Sequence, residues 1–211
     1  MIPQYVIYRS DRCDGRKGGG VCVYVDVRTR IDDVVTHAIK PSCIEAVWLR
    51  LVDANIILAA VYIPPNLLSN VYNTIEDYLV DCFDDATNLH PDSFLMITGD
   101  MNQFPTKHIE NQLNLTQIVD SPTRRNSTLD KIFLDSRLLH CYSSSSSPQN
   151  NSSQLGRFPF VNVHPSVGNS DHHSVFMRSF MHSVHSSRIV KVYDYRTSHL
   201  VNFKLKLASF P

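Results

Sequence analysis

A chain of 211 residues, 43% hydrophobic and 19% charged, has enough apolar surface for one large domain and too little charge for a disordered polymer. Its 20 basic residues balance 20 acidic ones, so no global positive field marks it for nucleic acid, and any grip on phosphates must come from local patches. Five cysteines (Cys13, Cys22, Cys43, Cys82 and Cys141), odd in number and without C-x-x-C spacing, argue against a disulfide framework or a zinc site and for a reducing compartment.

In chain order, residues 1–20 read as a turn region after a short apolar start, with Gly18-Gly19-Gly20 as a flexible turn before a strand. Residues 21–27, 46–52 and 55–63 are β-branched and apolar and predict three strands, the last two joined at Val52-Asp53-Ala54-Asn55 by hairpin chemistry. Pro64-Pro65 stops the third strand. Over 71–89, Val71, Ile75, Tyr78, Leu79, Cys82 and Phe83 recur at three and four, the period of an amphipathic helix. A strand over 94–98 then stops at Gly99-Asp100, residues 113–119 read as a short helix or strand, and 128–134 as another strand.

Residues 142–154 are a Ser/Asn-rich loop, 158–163 and 173–180 the last two strands, and 182–211 a polar tail with a weak helical pattern. Strands outnumber helices and their connections are short, which predicts an α+β fold of sheet packed on sheet. No 18-residue apolar run or leader-like start is read in the sequence, so no membrane contact is expected, and the cysteine usage points to an intracellular, nuclear or cytoplasmic protein. The sequons at Asn114, Asn126 and Asn151 then read as chance matches.

Four segments at predicted strand ends carry chemistry: V-Y-I-P-P-N at 61–66, I-T-G-D-M-N at 97–102, S-T-L-D-K-I-F at 127–133 and N-S-D-H-H-S-V at 169–175. Asp171 and His172 offer a carboxylate and an imidazole on one loop, the two groups phosphodiester hydrolysis needs for metal or water. Asp100 and Asn102, two apart, would share a side if their strand continued, suiting a hard cation or a phosphate oxygen. A phenol at Tyr62 could stabilise a pentacovalent phosphate, and Asp130 could orient a catalytic histidine. Glu45 reads as a solvated strand start.

The order Y-x-P-P-N, G-D-x-N, P-T-R with S-x-L-D, then S-D-H resembles the endonuclease domain of LINE-type non-LTR retrotransposons, relatives of apurinic/apyrimidinic endonuclease and pancreatic deoxyribonuclease in the endonuclease/exonuclease/phosphatase superfamily. D-R-x-x-G-R-K-G-G-G-V at 11–21, E-A-V-W-L-R-L at 45–51 and S-P-T-R-R-N-S-T-L-D at 121–130 extend the likeness over nearly residues 5 to 180. The resemblance implies a four-layer α/β sandwich of the deoxyribonuclease type, two mostly antiparallel sheets flanked by helices, over 1–180. It also implies that this stretch lacks its first strand, and that 181–211 is a link towards a reverse transcriptase domain of a parent polyprotein.

It implies a DNA endonuclease dependent on Mg²⁺ or Mn²⁺ that nicks target DNA for retrotransposition. Asp100 and Asn102 would contact the scissile phosphate, with Asp100 activating water; Asp171 would bind the metal. His172, oriented by Asp130, would contact the phosphate, and Tyr62 would be the transition-state phenol. Ser127 and Ser170 would add phosphate hydrogen bonds, and Thr123 and Arg124 would sit on a DNA-facing loop. The family's metal-binding Glu belongs to an E-T-W segment upstream of the D-R-x-x-G stretch, so this stretch alone is expected to nick weakly or not at all. Two other readings keep the motifs: a DNA-binding relic without catalysis, and a phosphatase of the same superfamily.

Overall fold

The computed structural model describes residues 4–12, 19–34, 36–139 and 159–178. In chain order they form β1 (Tyr5–Ser10), β2 (Val21–Asp26), β3 (Ile31–Asp33), β4 (Glu45–Leu51), β5 (Ile56–Tyr62), α1 (Ser69–Leu89), β6 (Phe94–Asp100), α2 (Lys107–Gln112), β7 (Leu115–Gln117), β8 (Asp130–Asp135), β9 (Phe160–His164) and β10 (Ser174–Arg178).

A six-stranded mixed sheet of order β3-β4-β5-β6-β8-β7 is the frame. Its central strand β5, IILAAVY, is buried from Ile56 to Val61, which explains its unbroken apolar run. The β4–β5 hairpin turns where the sequence predicts: Asn55 donates its N–H to Val52 O at 3.1 Å and adopts φ 53°, a left-handed conformation asparagine tolerates. From β5 the chain crosses over through α1 to the parallel strand β6. α1 is held by its apolar face, since Ile75, Leu79, Cys82 and Phe83 pack with Ala59, Val61, Ile97 and Phe133 of the sheet. Trp48 wedges edge-on against Phe83 and donates Nε1–H to the Tyr78 hydroxyl at 3.0 Å.

The opposite face carries two separate hairpins. β1 and β2 pack Val25, Val23 and Tyr8 on Val47, Leu49 and Ala60, while β9 and β10 pack Val161, Val163, Val175 and Met177 on Met96, Ile132 and Leu134. The described residues thus form an α+β sandwich with helices on one face of the large sheet and strands on the other. Each hairpin is an independent two-stranded sheet, and open cavities of about 490 Å³ beside β2 and about 270 Å³ beside β10 meet over Thr98 and Gly99.

Where sequence and structure part, the cause is short or tertiary. Residues 5–10, read as part of a turn region, are strand β1, paired to β2 at all six positions; pairing decides here, because the exposed Tyr5, Val6 and Ile7 leave no alternation of buried and exposed residues to see. β3 and α2 are too short to show a period, and the 113–119 segment resolves as β7 within a longer connection. Most of the glycine-rich turn (13–18), the Ser/Asn-rich loop (142–154) and the tail (182–211) lie outside the described residues, as do Cys13 and Cys141. Cys22, Cys43 and Cys82 are free thiols. No helix among the described residues is long and apolar enough to cross a membrane.

Candidate active site

Strand directions bring the chemistry to one end of the sheet. β5 and β6 finish there and β4 and β8 begin there, so that Glu45 pairs with Tyr62, Tyr62 with Asp100, and Asp100 with Asp130. Residues directly opposite across a ladder share a face, so these four side chains form a row, about 5 Å from strand to strand, on the face that carries the hairpins.

At the Asp130 end, His172 joins the row. Its Nδ1 lies 2.8 Å from Asp130 Oδ2, and an ionised carboxylate only accepts, so Nδ1 carries the proton and Nε2 is left as the outward nitrogen. The loop is set from two sides: His172 N–H donates to Ser170 Oγ at 3.1 Å, and His173 N–H donates to Thr123 O at 2.6 Å. Ligand atoms of Asp100, Asp130 and His172 all fall within 4.8 Å of one another, a separation one cation could bridge.

Asp100 ends its strand half-buried. Burial pushes its carboxyl above the ordinary carboxylate range; Asp130 adds to the rise, and the Asn102 N–H, His172 and Arg124 oppose it. Its Oδ1 accepts that Asn102 N–H at 3.1 Å. The strand does not continue: Asn102 turns left-handed at φ 46°, is 5% exposed, and donates Nδ2–H to Ile63 O at 2.9 Å. That amide braces the ends of β5 and β6 with one of its two Nδ2–H donors.

The remaining predicted residues divide. Asp171 is exposed, pairs with Arg124 through Oδ2, and is held below the usual carboxylate range by that guanidinium; it stands outside the Asp100–Asp130–His172 cluster to which a metal reading points. Ser127 is exposed in the turn that bonds back to Thr123 and Arg124, and Ser170 is exposed with its hydroxyl turned to the His172 backbone. Thr123 is fully buried, its Oγ1 accepting from both Leu129 N–H and Asp130 N–H at 3.0 Å, so it positions Asp130 from beneath the loop. Thr123→Val, which keeps the shape and leaves two buried donors unmet, is expected to cost about 1–3 kcal/mol in urea denaturation.

Two residues that the sequence reading passed over complete the row. Glu45, read as a solvated strand start, is 4% exposed, and Arg12 donates Nε–H to its Oε1 at 3.1 Å, with the guanidinium 5.4 Å from the Tyr62 ring centroid. Parity was the available signal, because in E-A-V-W-L the glutamate shares a face with Val47 and Leu49, both of which belong to the core.

No family model matches this sequence, and no curated protein does either. Among solved structures, the human Nocturnin catalytic domain with bound sulfate is similar at 15% identity and a TM-score of 0.46, over 63% of this chain and 61% of that one. An endonuclease/exonuclease/phosphatase family protein from Bacteroides thetaiotaomicron is similar at 12% identity and a TM-score of 0.47, over 82% of this chain and 74% of that one.

Proposed function

We propose that the chain is a divalent-metal-dependent hydrolase of DNA phosphodiester bonds, a nicking endonuclease domain of the LINE type that its motifs resemble. The observation that carries this reading is the convergence of Asp100, Asp130 and His172 beside Tyr62, where two open cavities meet the end of the sheet.

The two carboxylates of the set, Asp100 and Asp130, suit a hard cation such as Mg²⁺ or Mn²⁺. When bound, such an ion polarises a phosphoryl oxygen and lowers the pKa of water. Asp100, at the end of β6 beside Tyr62 and Asp130, takes the proton of the attacking water. His172, as an imidazolium held at Nδ1 by Asp130, would donate Nε2–H to a phosphate oxygen, and Tyr62 stands in the same row for the charge that develops there. Arg124, beside Asp171, adds a cation on the His172 side. In a parent polyprotein the nick would supply the primer for a reverse transcriptase domain.

Incubation of the chain with supercoiled plasmid tests this. Slow nicking in Mg²⁺ or Mn²⁺ is expected, lost on chelation and lowered about 10²- to 10⁴-fold by His172→Ala. Nicking that survives chelation, or is unchanged in His172→Ala, would overturn it. DNA binding without cleavage would select the non-catalytic reading.

A further inference from the structure

We propose that the outer face of the β9–β10 hairpin is a stacking platform for single-stranded DNA, on which Phe160 and Phe176 take bases and Arg178 takes a phosphate. The proposal deepens the DNA reading above and rests on it.

Strand parity builds the face. Val161, Val163, Val175 and Met177 pack inward on the large sheet, which leaves Phe160, Asn162, His164, Phe176 and Arg178 on the other side. The two phenylalanines are 41% and 42% exposed, although rings of that size are ordinarily buried. Register sets them diagonally, because Phe160 stands opposite Arg178 and Asn162 opposite Phe176. Diagonal neighbours of this kind are about 7–8 Å apart, so two unpaired bases of one strand can each meet a ring.

Both rings are held in place. His164 meets the Phe176 ring edge-on, with centroids 6.1 Å apart and planes at 75°, and Arg178 Cζ lies 5.6 Å from the Phe160 centroid. Either contact covers at most one face of a ring and fixes its orientation. The guanidinium plane is itself a surface on which a base can stack.

Charge selects the occupant. Asp171 is the one acidic residue in the sequence from 159 to 178, and Arg124 already pairs with it, so the two strands bring Arg178 and no carboxylate to this face. The outer face of the other hairpin differs: it exposes Tyr5, Ile7 and Tyr24, but its Arg9 is paired with Asp11 and its Asp26 with Arg28. Rings beside a cation suit a polyanion that presents base faces, and a duplex hides those faces in its own stack. Position agrees with this. Phe176 is four residues beyond His172, within about 13 Å of extended chain. A nick beside His172 frees a strand end, whose unpaired bases this face can receive.

The chain is titrated in chelator, where no cleavage occurs, with a fluorescent thymidine oligomer and separately with a duplex of equal length. Single-strand binding is expected, weakened about 5- to 150-fold in Phe176→Ala, while duplex binding changes little. Arg178→Ala should reduce the slope of log K against log salt by about 0.7, the value of one phosphate contact on a single strand. Phe176→Trp keeps a stacking ring and reports on it, over the background of Trp48, the one native tryptophan, which packs on Phe83. It should bind as the unaltered chain does, with its added emission quenched by the oligomer, and it decides the matter if the alanine variant does not fold. Unchanged affinity in Phe176→Ala, unquenched emission in Phe176→Trp, or tighter binding of a uridine oligomer than of the thymidine one overturns the proposal. A chain that nicks plasmid without binding the oligomer overturns it alone, whereas oligomer binding without nicking counts against the catalytic reading alone.

Discussion

Asp100→Asn should abolish nicking, by about 10²- to 10⁴-fold, and at the same time make the protein harder to unfold at neutral pH. The two effects share a cause. Burial raises the Asp100 carboxyl above its unfolded value, so the folded chain holds this proton more tightly than the unfolded one. The stability that the neutral acid contributes is fully present below the ordinary carboxylate range and is lost as pH rises through the raised pKa. Asparagine mimics the neutral acid and can still accept the Asn102 N–H at Oδ1. The variant should therefore melt at a higher temperature than the unaltered chain at pH 7, the gap closing as the pH falls through that window. Added Mg²⁺ should raise the melting temperature of the unaltered chain more than that of the variant, since a bound cation offsets the buried charge. Equal melting at pH 7 would mean that Asp100 pays no penalty for its position.

Gly99→Ala is expected to be the most damaging methyl that could be added at any of the described glycines. At φ +143° the site disfavours any side chain, and a Cβ would lie 1.8 Å from Val61 O and 2.9 Å from its carbonyl carbon. Neither atom can swing aside, because both are backbone of the central strand, so β6 must move off β5. A loss of roughly 2–4 kcal/mol in denaturant titration is expected, from backbone strain and broken ladder together. Since Asp100 is the next residue and pairs with Tyr62, nicking should fall even at temperatures where the variant remains folded. Stability within error of the unaltered chain would show that the strands can separate locally without cost.

Much of this was legible in the sequence. The strands that became β2, β4, β5, β6, β8, β9 and β10 announce themselves by apolar runs bounded by turn residues, and α1 by its spacing of Ile75, Leu79, Cys82 and Phe83. The motifs placed Tyr62, Asp100, Asp130 and His172 at strand ends, and the fold brings those four together. Register was not legible. Nothing local says that Glu45 stands opposite Tyr62, because that pairing depends on the length of the turn between β4 and β5. Nor does D-R-x-x-G show that Arg12 meets a glutamate 33 positions later. Asn102 misled for a different reason: alternation applies only within a strand, and β6 ends at Asp100, two residues before the left-handed Asn102.

The row across β4, β5, β6 and β8 also has a meaning in time. Its members are contributed by four strands, and its outer two, Glu45 and Asp130, are separated in sequence by all of α1 and β6. Non-local pairings of that kind form late, after the cost of closing long loops has been met. Glu45, Tyr62, Asp100 and Asp130 come into line only once β4, β5, β6 and β8 have all paired, so the row is assembled by the sheet and not by any one segment of the chain.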